Sequence, residues 1–384
     1  MASSVTLRIT CLLSAAVAAV AAAVVPAAAQ PLPAPQAPAA AQTAASAGTS
    51  CRDVSFPVTL PDGSAQKVAA QYCAPRTGAV GTVQLLVHGA TYNHTYWDFP
   101  YENGTYSYVE RANRSGYATL AVDELGDGAS SRPASTELTF PAISDSIHQV
   151  ISQVRAGALG RHYASVMAVG HSFGSAQLIE ETAEYGDVDA VVLTGSGHAT
   201  SSIVADAQPT VFYSANHLSR FASLDDGYVT SKPGQRAAIL YYPPLADPRV
   251  IAADQATEDV VSQTELTTRP ADLGALMKKI TVPVLLVDGD KDNHYCTPDV
   301  DGTAGTDLGC TSTTEFYQHE AGNFTGACFS AMLVRSGHDI TLHRTAPQSY
   351  TSILAWEEAT LPAHATAARC AARGPLPTPG IPLT

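Results

Sequence analysis

Residues 165–176 read SVMAVGHSFGSA, and this stretch decides how the rest of the chain is interpreted. The run from Val166 to Gly170 is apolar or small throughout, which is typical of a buried strand. Residues 170–174 then fit the pattern G-x-S-x-G, and a helical spacing of apolar residues follows. A tight turn between a strand and a helix holds the serine hydroxyl exposed, and the helix N-terminus favours negative charge beside it. Ser172 is therefore a candidate nucleophile; a glycine-rich turn with a serine N-cap is the alternative.

The composition is that of a globular chain with an acidic surface. Of the 384 residues, 45% are hydrophobic and 15% are charged, and the formal net charge is -14 at pH 7. This length is enough for one large domain with a core of its own or for two small ones. Because an acidic surface repels polyanions, the charge argues against nucleic acid and anionic membranes as partners.

The N-terminal segment has the pattern of a secretion signal. Residues 1–29 combine a basic residue, Arg8, with an apolar run from Leu12 to Val25 and an A-x-A site at residues 27–29. The apolar run is too short and too rich in alanine for a membrane anchor. Residues 30–50 are rich in Pro, Ala, Gln and Ser, which is typical of a disordered leader. We therefore expect a secreted protein, without stable membrane insertion, whose folded domain covers residues 51–384.

Cysteine usage agrees with export. Outside the predicted signal the chain has six cysteines: Cys51, Cys73, Cys296, Cys310, Cys328 and Cys370. An even number in an exported chain favours disulfides, although the sequence leaves many pairings open. Sequential pairing is our hypothesis, since the first pair brackets an apparent hairpin and the second a loop rich in Gly, Asp and Thr. The zinc alternative lacks C-x-x-C and H-E-x-x-H spacing, so no metal site is predicted.

Short apolar runs alternate with helical patterns along the chain. The runs predict buried strands at residues 83–87, 117–123, 166–170, 188–193, 282–287 and 331–334. Residues 53–60 and 66–73 alternate around a turn and predict a hairpin. Helical spacing recurs at residues 143–159 and 350–359. Together these patterns predict an open, mostly parallel sheet covered by helices on both faces, with functional residues at the carboxyl ends of its strands.

Residues 199–279 interrupt this alternation. The segment is mixed in composition and carries several aromatic residues. Structureless loops longer than about 15 residues are rare in compact domains. We therefore predict that this segment is an inserted cap.

Four segments at predicted strand ends together resemble the α/β-hydrolase family. They are His88-Gly89-Ala90, GHSFG at 170–174, VDGDKD at 287–292 and Gly337-His338, in this order. A glycine-rich stretch at residues 124–130 is also similar to the family's loop after its fourth strand. The resemblance covers about residues 51–362. It implies the α/β-hydrolase fold with an inserted cap, and a serine hydrolase similar to esterases and lipases that needs no cofactor.

The family's order along the chain is nucleophile, then acid, then histidine. The resemblance therefore implies that Ser172 is the nucleophile and that His338, at the end of the last strand, is the base. Asp292 matches the family's acid because it stands three residues after a glycine. Asp290 is the alternative acid. Solvated loop carboxylates and an ordinary loop histidine are the alternatives without function.

The remaining site residues are expectations of the same kind. The resemblance implies an oxyanion hole built from the backbone N–H groups of Phe173 and Ala90, with Thr91 as the alternative to Ala90. Five side chains are candidates for an apolar acyl pocket, with ordinary packing as the alternative for each. They are Tyr96, Trp97, His198, Phe212 and Tyr213.

The expected reaction is cleavage of a carboxylic ester, lactone or thioester of a small, apolar acyl substrate through an acyl-enzyme on Ser172. An amidase or peptidase would use the same groups, and so would an acyltransferase whose site excludes water. A catalytically silent, hydrolase-like binding protein is the alternative from another class.

Overall fold

In the part of the chain that the structure describes, twelve strands form two separate sheets, and the order of strands in the larger sheet determines which loops meet. The computed structural model describes residues 48–76, 81–102, 104–200, 210–296, 310–362, 369–370 and 372–379, so the predicted secretion signal lies outside the described residues. The strands are β1 (Thr49–Thr59), β2 (Ala65–Pro75), β3 (Thr82–Val87), β4 (Ala118–Asp123), β5 (Ser165–His171), β6 (Ala190–Thr194), β7 (Phe212–Ser214), β8 (Tyr228–Ser231), β9 (Val261–Ser262), β10 (Val284–Gly289), β11 (Phe329–Val334) and β12 (Gly374–Pro375). β1 begins at Thr49, so the last two residues of the predicted leader belong to this strand.

The described helices lie between these strands. They are α1 (Tyr108–Arg114), α2 (Phe140–Arg155), α3 (Phe173–Tyr185), α4 (Gln235–Ile239), α5 (Pro248–Thr257), α6 (Gln263–Thr268), α7 (Gly274–Met277), α8 (Thr313–Ala321) and α9 (Ala346–Thr360). Several begin at a capping side chain, as sequence chemistry predicts. Thr139 caps α2 by accepting a hydrogen bond from the N–H of Ala142, and Ser312 caps α8 in the same way.

The large sheet has the order β1-β2-β4-β3-β5-β6-β10-β11-β12. β1 and β2 form the predicted antiparallel hairpin, and β2 pairs antiparallel with β4. From β4 to β12 all neighbouring strands are parallel. The chain runs from β3 outward to β4 and then returns to place β5 on the other side of β3. This reversal opens a crevice at the carboxyl ends of β3 and β5, where open α/β sheets bind ligands.

Two apolar cores cover the two faces of this sheet. Successive residues of a strand point to opposite faces, and in β3 Leu85 belongs to one core whereas Leu86 belongs to the other. The first core also contains apolar residues of α2, α3 and α8, including Ile147. The second contains residues of α1 and α9, including Tyr108. Helices therefore pack on both faces, as the apolar runs predicted.

The segment predicted to be an inserted cap has secondary structure of its own. Between β6 and β10, the described residues 210–279 contain α4 to α7 and an antiparallel sheet of the order β7-β8-β9. We call residues 210–279 the cap segment. It belongs to the same compact unit, residues 43–384, as the large sheet.

Three disulfides are present, and they follow the sequential hypothesis: Cys51–Cys73, Cys296–Cys310 and Cys328–Cys370. The first joins directly paired residues of β1 and β2. Such bonds form and persist in oxidising compartments. Within the described part of the chain, we find no helix with the length and apolar character that a membrane span requires.

Candidate active site

Ser172 occupies a strained turn between β5 and α3. Its φ of 52° and ψ of -115° lie in a region that non-glycine residues rarely adopt. The turn is held because the Ser172 N–H donates to the Thr194 carbonyl of β6 at 2.8 Å. The two glycines of the motif leave room for backbone: a Cβ on Gly170 would lie 2.7 Å from Cα of Ser175, and one on Gly174 would collide with the His88 carbonyl oxygen.

The side chains of Ser172, His338 and Asp292 form one hydrogen-bonded chain. Nε2 of His338 lies 2.7 Å from Oγ of Ser172, and Nδ1 of His338 lies 2.7 Å from Oδ2 of Asp292. His338 and Asp292 are buried, whereas Ser172 is partly exposed. They come from the loops after β5, β10 and β11, whose carboxyl ends share one edge of the sheet. The structure thus brings together the three residues that the resemblance implied.

Burial and charge act in opposite directions on this pair. Burial alone would lower the pKa of His338, but the charge of Asp292 and its hydrogen bond outweigh it and leave the pKa raised. Burial would likewise raise the pKa of Asp292, but the His338 charge and hydrogen bonds from His294 and His338 hold it well below its usual value. The carboxylate is therefore ionised, and it stabilises a positive charge on His338.

Asp290, the alternative acid, faces other partners. It accepts a hydrogen bond from the Ser336 N–H at 3.3 Å and lies 3.6 Å from both Lys291 and Arg335. Among the described contacts, none joins it to His338. The geometry therefore separates the two carboxylates, and Asp292 is the one beside the histidine.

The two backbone groups predicted to form an oxyanion hole lie beside Ser172. Phe173 is the first residue of α3, so the helix itself provides no acceptor for its N–H. The loop after β3 passes close to Ser172, since a Cβ on Gly89 would lie 3.1 Å from the Ser172 Cβ. Ala90 and Ser172 line the same cavity. In the described residues, no hydrogen bond uses the N–H of Ala90 or that of Phe173.

The cavity over Ser172 has an empty volume of about 410 Å³. The loop after β3 contributes residues 89–92, and the cap segment contributes one side. The lining also contains His171, Ser172, Phe212, Ser231, Arg236, Ile239, Leu240, His294 and His338.

The structure corrects most of the predicted acyl-pocket residues. Phe212 lines the cavity, but the other four candidates do not. Tyr96 and Trp97 are fully buried in the second core, where Tyr96 stacks on His171. His198 instead bonds to Glu320 at 2.9 Å, and Tyr213 packs against His217. Packing therefore explains these aromatic and histidine side chains, as the alternative reading held.

Two cavity residues were missed from the sequence. The ring of His294 stacks on His338 with centroids 3.9 Å apart, and the backbone N–H of His294 donates to Oδ1 of Asp292 at 2.6 Å. Its position two residues after Asp292 was the available signal. Arg236 reaches the cavity from α4, and no local pattern marked it, because its partners are distant along the chain.

Several groups of residues have the atoms to hold a metal ion. His198, His319 and Glu320 offer ligand atoms within 4.8 Å of one another, and Asp292, His294 and His338 do so in the cavity. In both groups these residues also form ion pairs with one another.

The order of the sheet and the position of the Ser172 turn define the α/β-hydrolase fold that the sequence predicted. The profile of the alpha/beta hydrolase family matches residues 84–350, which is more than half of the chain. The chain therefore belongs to the alpha/beta hydrolase family, and this membership supports a hydrolase activity.

Solved structures with the same fold have diverse activities. An esterase from Exiguobacterium antarcticum is 18% identical with a TM-score of 0.53, covering 78% of this chain and 98% of its own. A bromoperoxidase from Bacillus anthracis is 17% identical with a TM-score of 0.52, and the match covers 79% of this chain and 100% of the bromoperoxidase. An E-2-(acetamidomethylene)succinate hydrolase is 17% identical with a TM-score of 0.50, and the match covers 80% of this chain and 100% of the hydrolase. At these identities the likeness establishes the fold alone. A search of curated protein sequences finds no significant match.

Proposed function

We propose that the protein is a secreted serine hydrolase that cleaves a carboxylic ester through an acyl-enzyme on Ser172. The observation that carries this proposal is the hydrogen-bonded chain from Asp292 through His338 to the Ser172 hydroxyl, with 2.7 Å at each step. A weak nucleophile becomes reactive when a base touches it and a third group orients the base. The raised pKa of His338 supports its role as the group that accepts the proton.

The reaction follows from the positions of these groups. His338 removes the Ser172 proton while the serine oxygen attacks the acyl carbon, and the imidazolium is stabilised by Asp292. The N–H groups of Ala90 and Phe173 hold the negative oxygen of the tetrahedral intermediate. His338 then protonates the leaving alcohol. A water molecule, deprotonated by His338, attacks the acyl-enzyme and releases the acid and the free serine.

The cavity supports a small acyl group. Its volume of about 410 Å³ includes the space open to solvent, which leaves little room for a long alkyl chain. Apolar side chains such as Phe212, Ile239 and Leu240 line it. We expect p-nitrophenyl acetate and butyrate to be hydrolysed with a kcat/KM at least about 10-fold above that of the palmitate, because a chain that does not fit loses its binding energy.

Secretion is part of the proposal. Three disulfides support an oxidising environment for the folded chain. The signal pattern of residues 1–29 is the second support.

Covalent labelling tests the function directly. A fluorophosphonate reacts with an activated serine, so we expect the folded protein to be labelled at neutral pH and Ser172→Ala to be unlabelled and inactive. Ser175→Ala is a control in the same helix, since its hydroxyl bonds the backbone of Thr194 instead of His338. A folded protein that stays unlabelled and cleaves no ester would contradict the proposal and favour a binding protein. Faster cleavage of p-nitroanilides than of matched esters would instead identify an amidase.

A further inference from the structure

Thr91, in the loop that carries the proposed oxyanion donor, has a strained backbone. Its φ is 64°, in the left-handed region that a β-branched residue rarely adopts. Such strain persists only where the surrounding structure holds the residue in place, and it concentrates at functional sites. Thr91 directly follows Ala90, so its conformation fixes the peptide plane next to the proposed donor. The groups that hold Thr91 therefore also orient the oxyanion loop.

Two hydrogen bonds hold Thr91, and both come from the cap segment. Nη1 of Arg236 donates to the Thr91 hydroxyl oxygen at 2.7 Å. The Asp259 N–H donates to the Thr91 carbonyl oxygen at 2.8 Å. One bond fixes the side chain and the other fixes the backbone. The cap segment thus contacts the oxyanion loop at the residue that carries the strain.

Arg236 is itself held rigidly. It is fully buried, and its Nε and Nη2 donate to the two carboxylate oxygens of Asp254 at 2.9 and 2.7 Å. Tyr241 donates a further hydrogen bond to Asp254 at 2.9 Å. The guanidinium also lies over the ring of Tyr92, 4.2 Å from its centroid. A bidentate arginine with its carboxylate is a planar unit of fixed geometry, so it holds the Thr91 hydroxyl at a defined point.

The same network continues to the loop that carries His338 and to His171, the last residue of β5. The Tyr92 hydroxyl donates to Oδ2 of Asp339 at 2.6 Å, and Asp339 directly follows the proposed base. Oδ1 of Asp339 lies 3.1 Å from Nε2 of His171, which directly precedes Ser172. All of these side chains are buried. One polar network therefore joins α4 and α5 of the cap segment to the loops after β3 and β11 and to the last residue of β5.

We infer that Arg236, paired with Asp254, is a positioning residue of the proposed ester hydrolysis: through the Thr91 hydroxyl it fixes the oxyanion loop beside Ser172. The inference rests on the proposed function. It makes the cap segment part of the catalytic apparatus as well as a wall of the cavity. Its consequence is that removing the Thr91 hydroxyl slows the chemical step while substrate binding is preserved.

The test compares Thr91→Val, which removes the hydroxyl, with Thr91→Ser, which keeps it. We expect Thr91→Val to lower kcat for p-nitrophenyl acetate about 10- to 100-fold, with KM changed less than about threefold, because a displaced oxyanion donor acts mainly in the transition state. Phosphonylation of Ser172 should slow by a similar factor. Thr91→Ser should retain kcat within about threefold. Equal losses in both variants, or an unchanged kcat in Thr91→Val, would overturn the inference.

A double-mutant cycle then tests whether Arg236 acts through Thr91. We expect Arg236→Lys to lower kcat, and the combination of Arg236→Lys with Thr91→Val to be no slower than about twofold below the slower single variant. Effects that multiply would mean that the two residues act separately, which would overturn the inference. Cooperative thermal unfolding of each Thr91 variant shows that it is folded at the assay temperature.

The wild-type protein separates this inference from the function on which it rests. A wild type that hydrolyses esters, together with a fully active Thr91→Val, would refute the positioning role alone. A folded wild type that is neither active nor labelled would refute both.

Discussion

The two histidines nearest Ser172 have opposite electrostatic environments. Asp292 raises the pKa of His338, whereas burial and the neighbouring His338 charge hold the pKa of His171 well below its ordinary value. His171 stays neutral between Thr194 and Asp339, 3.1 Å from a side-chain oxygen of each. Only His338 has both a carboxylate to stabilise its positive charge and contact with the serine hydroxyl. His171, the histidine of the G-x-S-x-G motif, therefore contributes to packing and to the hydrogen bonds that join the loops.

Asp292→Asn tests this assignment through the pH profile. The carboxylate favours the charged imidazolium, so without it burial dominates and the pKa of His338 falls. Since the base must be neutral in the free enzyme, the acid limb of kcat/KM should move to lower pH. We expect kcat to fall about 10³- to 10⁴-fold, because the carboxylate no longer stabilises the imidazolium and no longer holds the neutral ring in the correct tautomer.

Asp290→Asn is the matched control in the same loop, and it should leave the acid limb of the profile unmoved. An acid limb that shifts for Asp290→Asn and stays in place for Asp292→Asn would reverse the assignment of the two carboxylates.

Gly174 is a second residue at which the structure predicts the effect of a substitution. A Cβ there would collide with the backbone carbonyl of His88, which has little freedom to move at the end of β3. We expect Gly174→Ala to lower the free energy of unfolding by about 3 kcal/mol, at the upper end for overpacking. Gly322→Ala is the control, because the space around Gly322 is open, and it should change stability by about 0.5 kcal/mol or less. Urea denaturation measures both, and equal changes would contradict the prediction.

The apolar periodicity predicted the elements of the fold well, because burial in a two-faced sheet imposes it directly. The run at residues 83–87 became β3 (Thr82–Val87), and the helical spacing at 143–159 became α2 (Phe140–Arg155). The strand predicted at residues 282–287 begins two residues before the observed strand, since β10 starts at Val284, after Pro283. No apolar periodicity of this kind marked the positions of Tyr96 and Trp97. An aromatic side chain suits a core and a pocket equally, so composition alone could not place them.

The disulfide Cys296–Cys310 lies next to the segment that carries the acid. The Cys296 N–H donates to the Asp292 carbonyl at 2.9 Å. The disulfide therefore anchors the loop that contains Asp292 and His294. We expect Cys296→Ala/Cys310→Ala to lower kcat about 10-fold at 25 °C, because a looser acid loop no longer orients His338. Its free energy of unfolding should fall by about 2–4 kcal/mol.

Cys51→Ala/Cys73→Ala is the matched control at the far edge of the sheet. It should cost similar stability and leave kcat within about twofold, since β1 and β2 do not contact the cavity. Equal kcat losses in the two double variants would indicate a general effect of destabilisation.

Long-range contacts set the limit of the sequence-based predictions for the whole molecule. The four resembling segments lie at strand ends, so the topology itself brings Ser172 and His338 to one edge of the sheet. Arg236 and Thr91 are 145 positions apart, and their contact depends on how the cap segment folds. Short, irregular helices such as α4 leave a weak pattern in the sequence. The catalytic loops could therefore be predicted from local signals, and the network that joins them could not.

Buried carboxyl groups give the whole molecule an unusual expected response to pH. Burial raises the pKa of Glu357 on α9 to about 8, that of Glu265 to about 8 and that of Glu181 to about 10. In the unfolded chain these groups ionise near their ordinary pKa, so the folded state retains protons that the unfolded state has lost. Stability from these groups is therefore complete at low pH and is lost as the pH rises through their folded pKa values.

We accordingly expect the free energy of unfolding to fall between pH 5 and pH 8 by about 3 kcal/mol for each of these groups, measured by urea denaturation at several pH values. Glu357→Gln should flatten this decline, because it removes one of the titrating groups while keeping a partner for the Tyr108 hydroxyl. Its amide can also donate to Oε1 of Gln84, a buried oxygen without a hydrogen-bond partner among the described residues. At the acid end the opposite sign applies, since Asp292 and Glu320 have lowered pKa values and their stabilisation is lost as the pH falls through them. A stability that rises steadily from pH 5 to pH 8, in the wild type and in Glu357→Gln alike, would mean that these carboxyl groups are solvated and ionised in the folded protein.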